Sequence, residues 1–169
     1  DFPQDFTNNN QEVLFTSARI PSAKNIRFHS PRLFQNLYKV AVHGGRSVLL
    51  SDAGMSVVKI SDDQQMLVFQ DRKGYEDLLR KHHTSSVTRD IWTLDFNTKQ
   101  FQKISNFEGE DLEPCFAPNR HDIYFLSEKS GTLNVWFHQQ GKLSQITHFE
   151  KNPIRHLSIS QQETICFTY

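Results

Sequence analysis

Four segments of this 169-residue chain share one pattern, and an internal repeat constrains a fold more than any single motif does. Each segment begins with an apolar residue, continues through a polar turn and ends in a β-rich run closed by Phe. The segments are FTNNNQEVLF (6–15), ISDDQQMLVF (60–69), FAPNRHDIYF (116–125) and ISQQETICF (159–167). Because Asn and Asp accept tight-turn dihedrals while Val, Ile, Tyr and Phe favour strands, each segment predicts a β-hairpin.

Two further strands are predicted after each of the first three hairpins. The third strands are LYKV (37–40), DIWTL (90–94) and NVWF (134–137), and the fourth are RSVLL (46–50), QFQKISNF (100–107) and KLSQITHF (142–149). The repeated segments start 54, 56 and 43 residues apart, and the shortest interval fits the roughly 40 to 50 residues of a propeller blade. We therefore predict an all-β fold made of β-propeller blades with four antiparallel strands each. A β-sandwich is the alternative, but it does not require the same four-strand pattern three times.

The repeat also predicts how the chain is divided. The units cover approximately residues 1–54, 55–110 and 111–152, followed by a truncated unit over 153–169, and together they form a single partial β-propeller domain. Most closed propellers have about four to eight blades, so we expect an incomplete propeller of about three and a half blades, a piece of a larger one. Because an incomplete propeller leaves a sheet edge and a blade face uncovered, we also expect the chain to self-associate through the uncovered blades or to be only marginally stable.

The two longer repeat intervals contain insertions between the second and third strands, at residues 18–36 and 71–89. The second insertion is locally basic in a neutral chain. Its basic and histidine residues are Arg72, Lys73, Arg80, Lys81, His82, His83 and Arg89. Loops on a rigid scaffold often carry recognition residues, and cationic side chains bind carboxylates, so we predict that this basic set binds a peptide or an acidic partner. The alternative is that the insertion only caps its sheet.

Composition excludes several classes of partner. Lys and Arg number 19, as do Asp and Glu, so the chain has no net charge to attract nucleic acid. No apolar run approaches the roughly 20 residues of a membrane span, and the first residues show no signal-peptide pattern. Cys115 and Cys166 match neither a disulfide framework nor a metal-ligand spacing, so a periplasmic or exported location and a cytoplasmic one both stay open.

No catalytic set, metal site or cofactor site is predicted. His82 and His83 would point to opposite faces of a strand, and the other histidines are scattered over different blades. The hydroxyl-rich segment 84–88 has no G-x-S-x-G turn around it. Glu110 and Asp111 are predicted to form a turn and hydrogen bonds between blades. Aromatic residues that recur at corresponding strand positions are predicted to pack between blades. These are Phe69, Trp92, Phe125, Trp136 and Phe167.

Three stretches carry a family resemblance: KGYEDLLRKHHTSSVTRDIW (73–92), NFEGEDLEPCFAPNRHDIYFLSEKSGTLNVW (106–136) and ITHFEKNPIRHLSIS (146–160). Together they resemble the N-terminal β-propeller of tricorn protease-like serine peptidases. The individual blade motifs also resemble the WD40-like repeats of TolB-like proteins and of propellers joined to prolyl-peptidase domains. Gln161 and Gln162 stand where the blade motif usually has an acidic turn.

The resemblance implies a large peptidase in which propellers precede a PDZ-like module and a serine-peptidase domain. In that family the propellers are thought to guide peptides or unfolded protein substrates to the catalytic chamber, and the nucleophile lies downstream, so no catalytic residue is carried over to this chain. The function expected from the resemblance is therefore a non-catalytic propeller segment that gates or guides peptides and organises domains. The alternatives are a TolB-like non-enzymatic interaction module and a propeller joined to a prolyl-type hydrolase.

Overall fold

The computed structural model describes residues 1–19, 35–73 and 84–169, and within them the chain forms fourteen β-strands and no helix. The strands are β1 (Phe2–Thr7), β2 (Glu12–Ser17), β3 (Asn36–Ala41), β4 (Val48–Ser51), β5 (Met55–Ile60), β6 (Met66–Asp71), β7 (Ile91–Asp95), β8 (Phe101–Lys103), β9 (Asp111–Phe116), β10 (Ile123–Ser127), β11 (Asn134–Gln139), β12 (Lys142–Gln145), β13 (Arg155–Ile159) and β14 (Ile165–Thr168). A search of these residues for a helix long and apolar enough to cross a membrane finds none.

The strands form three four-stranded sheets and one two-stranded sheet, all antiparallel. Each sheet follows chain order, and we name them unit I (β1–β4), unit II (β5–β8), unit III (β9–β12) and unit IV (β13–β14). The first strands of the units are neighbours, since β5 contacts β1 and β9, and β9 contacts β13. We call β1, β5, β9 and β13 the inner strands. This arrangement confirms the predicted all-β fold of an incomplete propeller.

The hairpin turns form for the reason that the sequence suggests. Asn8, Asn9 and Asn10 have φ of 52°, 51° and 64°, a left-handed region that Asn adopts more readily than most residues. In unit II the turn is held by Asp63, whose Oδ1 accepts hydrogen bonds from the Ser61 hydroxyl at 2.6 Å and from the Gln65 N–H at 3.1 Å. These two bonds, the Ser61 bond foremost, lower the pKa of the exposed Asp63 carboxyl to about 2.

Apolar side chains fill the space between neighbouring units. The clusters are Leu14, Leu37, Met55, Val58, Leu67, Phe69 and Leu94 between units I and II; Val68, Ile91, Ile123 and Phe125 between II and III; and Leu112, Ala117, Tyr124, Leu126, Leu133, Val135 and Ile154 around units III and IV. Of the recurring aromatics, Phe69 and Phe125 are fully buried, and the two Trp and Phe167 pack partly buried against the clusters. Each buried side chain of this size stabilises the fold by about 1.5–3 kcal/mol.

The fourth strands are shorter than predicted, and a buried Asn explains one case. Strand β12 ends at Gln145, whereas the sequence predicts a strand to Phe149. Asn134 is fully buried, and its Oδ1 accepts hydrogen bonds from the Thr147 hydroxyl at 2.9 Å and from the Phe149 N–H at 2.8 Å. Its amide also donates to the Phe149 carbonyl at 3.0 Å. These bonds satisfy the backbone without a strand ladder, so the chain leaves the sheet here.

The two acidic residues at the start of unit III, Glu110 and Asp111, have different contacts. Glu110 Oε2 accepts bonds from the Arg89 guanidinium at 3.2 Å and from the Arg89 N–H at 3.3 Å, which joins units II and III. Asp111, in contrast, is the first residue of strand β9 rather than part of a turn, and its buried carboxylate lies near the Ser105 and Ser127 hydroxyls without a hydrogen bond of ordinary geometry. The prediction of turn formation is therefore wrong for Asp111.

Candidate functional site

Each inner strand is interrupted by a β-bulge at a similar place. The pairing register skips between Pro3 and Asp5 in β1 and between Ser56 and Val58 in β5, with corresponding interruptions in β9 and β13. In the last three units the bulge includes a residue at positive φ: Val57 at 47°, Glu113 at 51° and His156 at 57°. A β-branched residue is rarely found there, so the local strain at Val57 is held by the surrounding structure. Bulges bend a strand and release backbone groups from the ladder.

A side chain from the preceding unit binds a released N–H at every junction. Gln4 Oε1 accepts from the Val58 N–H at 2.8 Å, and Gln70 Oε1 accepts from the Glu113 N–H at 3.2 Å. Glu113 Oε2 in turn accepts from the Leu157 N–H at 2.8 Å. We call these three contacts the inter-unit clasps. They satisfy backbone donors that the bulges would otherwise leave unpaired, and they hold consecutive units in register.

A groove of about 520 Å³ lies where the inner strands meet the hairpin turns, and all four units line it. Four of its lining residues occupy the first position of each repeated segment: Phe6, Ile60, Phe116 and Ile159. Phe6 is 54% exposed, and the other three are half-buried. We call this the turn-end groove. Its apolar ring arises from the repeat itself, since one sequence position is presented four times.

A second groove of about 600 Å³, the far groove, lies toward the other end of the inner strands. Its lining includes Phe2, which is 54% exposed, together with Val57 and Arg72. Strands β1 and β5 line both grooves, and Lys59 belongs to both. We name the two grooves together the inner track.

The polar groups of the turn-end groove are mostly engaged with backbone. The Asp5 carboxylate accepts from the Phe6 N–H at 2.9 Å and from the Ile60 N–H at 3.1 Å, and Asp62 accepts from the Asn119 N–H at 2.6 Å. Burial raises the pKa of the Cys115 thiol to about 12, so this groove residue is an inert thiol rather than a nucleophile. In the described part of the chain, no three His, Cys, Asp or Glu residues are grouped to hold a metal ion.

The predicted basic set is only partly within the described residues. Four of its members lie outside them: Arg80, Lys81, His82 and His83. The other three lie next to the ends of the flanking strands, with Arg72 and Lys73 directly after β6 and Arg89 shortly before β7. The structure therefore describes three of the seven predicted side chains, and the binding role of the set stays a prediction.

Two of these cations are paired within the chain. Lys73 Nζ lies 2.7 Å from Asp90 Oδ2 and 3.6 Å from Asp71 Oδ2, and Arg89 is bound to Glu110. Burial lowers the pKa of Lys73, but the Asp90 hydrogen bond and the two carboxylate charges outweigh it and leave the pKa raised. Burial, and then the charge of Arg89, lowers the pKa of the half-buried Arg72 guanidinium.

The inner track is a feature that the sequence patterns did not reveal. The signal that could have found its apolar ring is the first position of the repeat, which is apolar four times although it lies beside a polar turn. The clasps have no such signal, because their acceptors Gln4, Gln70 and Glu113 do not occupy one repeat position.

Bulged inner strands, inter-unit clasps and stacked four-stranded sheets define this chain as a segment of a β-propeller. The chain matches the model of the tricorn protease N-terminal β-propeller domain over residues 1–169, and it belongs to that family. No curated protein sequence matches it.

Solved structures support the same fold at low sequence identity. TolB from Acinetobacter baumannii is 17% identical with a TM-score of 0.70, and the match covers 98% of this chain and 36% of that one. A putative TolB from Agrobacterium tumefaciens is 16% identical with a TM-score of 0.68, covering 93% and 49% of the two chains. A prolyl endopeptidase is 11% identical with a TM-score of 0.60, covering 93% and 23%. The chain thus spans less than half of the length of each of these three structures.

Proposed function

We propose that this chain is a non-catalytic propeller segment of a tricorn-like serine peptidase, and that it guides extended peptide substrates along the inner track. The observation that carries the proposal is the apolar ring of the turn-end groove, to which all four units contribute one residue each. A groove of this kind offers an extended chain one apolar contact from each unit. Membership of the family supports the peptidase context.

Half-exposed aromatic residues give the track its binding energy in this proposal. Phe2 and Phe6 lie on the same inner strand, one in each groove, and both have 54% of their surface open to a ligand. Covering a part of either ring removes apolar area from water at about 25 cal/mol per Å². The track thus favours peptides with large apolar side chains, which unfolded proteins expose.

The basic set enters the proposal through Arg72. This residue lines the far groove, whereas neither Lys73 nor Arg89 is among the residues that line the inner track. Neutralising Arg72 is therefore expected to weaken peptide binding more than neutralising either of the other two.

The test is fluorescence anisotropy with a labelled, unstructured ten-residue peptide that contains alternating Phe and Leu. The wild-type chain is compared with Phe6→Ser and with a control, Val48→Ser. Val48 is 53% exposed and lies on β4, one of the outer strands β4, β8 and β12 that end units I to III. We expect Phe6→Ser to weaken binding about fivefold, equivalent to about 1 kcal/mol of lost apolar contact, and the control to leave it unchanged. Equal binding by both variants contradicts a role for the ring.

The peptidase context needs a second experiment, on the full-length gene product. If that product hydrolyses peptides and the 169-residue chain does not, the propeller accompanies a catalytic domain elsewhere in the protein. If the full-length product shows no hydrolysis and instead retains a folded partner, the chain is an interaction module of the TolB-like kind.

A further inference from the structure

Lys59 differs from the other half-buried lysines of the described residues in having no carboxylate partner. Lys39 Nζ lies 2.9 Å from Glu12, and Lys103 Nζ lies 3.0 Å from Asp90. Among the described side chains, Lys59 Nζ makes one hydrogen bond, to the Gln4 carbonyl at 3.4 Å, and no ion pair. A half-buried ammonium is partly desolvated, so it gains from a carboxylate more than an exposed one does.

Asp5 lines the turn-end groove together with Lys59, and Lys59 and Glu113 both act on the Cys115 thiol, but neither carboxylate forms an ion pair with Lys59. Asp5 accepts bonds from two backbone N–H groups, and Glu113 accepts from the Leu157 N–H as part of a clasp. Cys115 also lies near Lys59, and its thiol is neutral because burial raises its pKa to about 12. Within the described residues, the positive charge of Lys59 is therefore not paired with a carboxylate.

The position of Lys59 determines which carboxylate can reach it. Lys59 lines both the turn-end groove and the far groove. A peptide bound along the whole track therefore has one part in each groove and an internal residue beside Lys59. A chain terminus would fill one groove only. A side chain within the segment, in contrast, meets Lys59 while the apolar residues on either side reach Phe6 and Phe2.

We infer that Lys59 is a specificity residue of the inner track and binds an Asp or Glu side chain at an internal position of an extended peptide. The inference rests on the proposed function, because it requires that the track binds peptides at all. It adds a substrate preference: apolar segments with an internal acidic residue bind better than neutral ones.

The test compares three labelled ten-residue peptides with the same apolar residues. The first has a central Glu and an amidated C-terminus, the second has Gln in its place, and the third has Gln and a free C-terminal carboxylate. The variants are Lys59→Met, which keeps the aliphatic stem, Lys59→Arg, which keeps the charge, and the control Lys142→Met, an exposed lysine on the outer strand β12. Thermal melts establish that each variant is folded.

For the wild type and for Lys142→Met, we expect the Glu peptide to bind about fivefold more tightly than the Gln peptide, and less so at high salt. Lys59→Met should remove this preference without changing the affinity for the Gln peptide, and Lys59→Arg should retain it. The inference is overturned if Lys59→Met still binds the Glu peptide more tightly than the Gln peptide. It is also overturned if Lys59→Met binds all three peptides more weakly by the same factor. Tighter binding of the free-carboxylate peptide through Lys59 overturns the internal position. Failure of every peptide to bind the wild type contradicts the proposed function itself.

Discussion

The buried carboxylate of Asp111 is expected to make the stability of this chain depend on pH. Asp111 has no exposed surface, and neither of its carboxylate oxygens receives a hydrogen bond of ordinary geometry. Burial raises the pKa of this carboxyl to about 6, while the nearby hydroxyls of Ser105 and Ser127 and the charge of Lys103 offset only a part of the cost. The charge of Asp90 adds to the increase.

The sign of the effect follows from the raised pKa. The unfolded chain releases the Asp111 proton near pH 4, whereas the folded chain holds it to about pH 6, so the folded state binds more protons between these values. The free energy of unfolding therefore falls as pH rises through this window and stays lower above it. The pKa of Asp111 is higher by about 2 in the folded state than in the unfolded chain. At 1.36 kcal/mol for each pKa unit, the free energy of unfolding falls by about 3 kcal/mol across the window.

Asp111→Asn replaces the carboxylate by a neutral group of the same shape. At pH 7.5 we expect the variant to be more stable than the wild type by about 1–3 kcal/mol, with a melting temperature higher by about 2–4 °C per kcal/mol. At pH 4.5 the gap between the two proteins should narrow to near zero, because the wild-type carboxyl is then protonated in the folded state.

Urea unfolding at both pH values measures this difference, with Glu150→Gln as the control for the removal of an exposed carboxylate. The pKa of Asp71 is also raised, chiefly by burial, but it is common to both proteins and cancels in the comparison. A variant that is less stable than the wild type at pH 7.5, or a difference that does not change with pH, would refute the reasoning.

Three further predictions concern the assembly of the units. Glu113→Ala removes the clasp acceptor of the Leu157 N–H and is expected to lower the free energy of unfolding, measured by calorimetry, by about 1.5–3 kcal/mol. Glu113→Gln keeps an acceptor and should cost less than half as much, whereas equal losses for the two variants would show that the bond is unimportant. Asn134→Ala is expected to lower the free energy of unfolding, measured in urea, by about 2–4 kcal/mol, since it leaves the Phe149 backbone unpaired, and a loss under 1 kcal/mol would contradict this. Strand β14 has no third strand beside it, unlike the second strands β2, β6 and β10, so sedimentation velocity should show self-association of the 169-residue chain as its concentration rises, and a monomer at every concentration would contradict the expectation.

The sequence was sufficient to predict the sheets because the information for them is local. A hairpin is specified by its turn residues and by the alternation beside them, and the repeat then supplies the order of the four strands. The shortening of β12 was not predictable in this way. It depends on Asn134 reaching Phe149, fifteen residues further along the chain, after the sheet has formed.

The candidate site could be predicted less well than the fold, since its chemistry depends on contacts between units. The insertion that follows β6 is basic by composition, but the ion pairs of Lys73 and Arg89 depend on Asp90 and Glu110, and the second of these lies in the next unit. Composition therefore identified cations without showing that two of them are already paired. Lys59 was not predicted because one lysine in a strand carries no pattern.

The bulges connect the architecture of the inner strands with the chemistry of the track. Each bulge releases an N–H, and the nearby Gln or Glu side chain of the preceding unit is used to satisfy it. Glu113 is the one carboxylate among these acceptors, and its Oε2 accepts from a backbone N–H, while the apolar residues at the first repeat position line the turn-end groove. In the proposed function, Lys59 and the apolar residues that line the groove are the groups that contact a bound peptide. Glu113→Ala removes a clasp together with its carboxylate. It should therefore lower the free energy of unfolding without reducing the proposed preference of the track for acidic peptides.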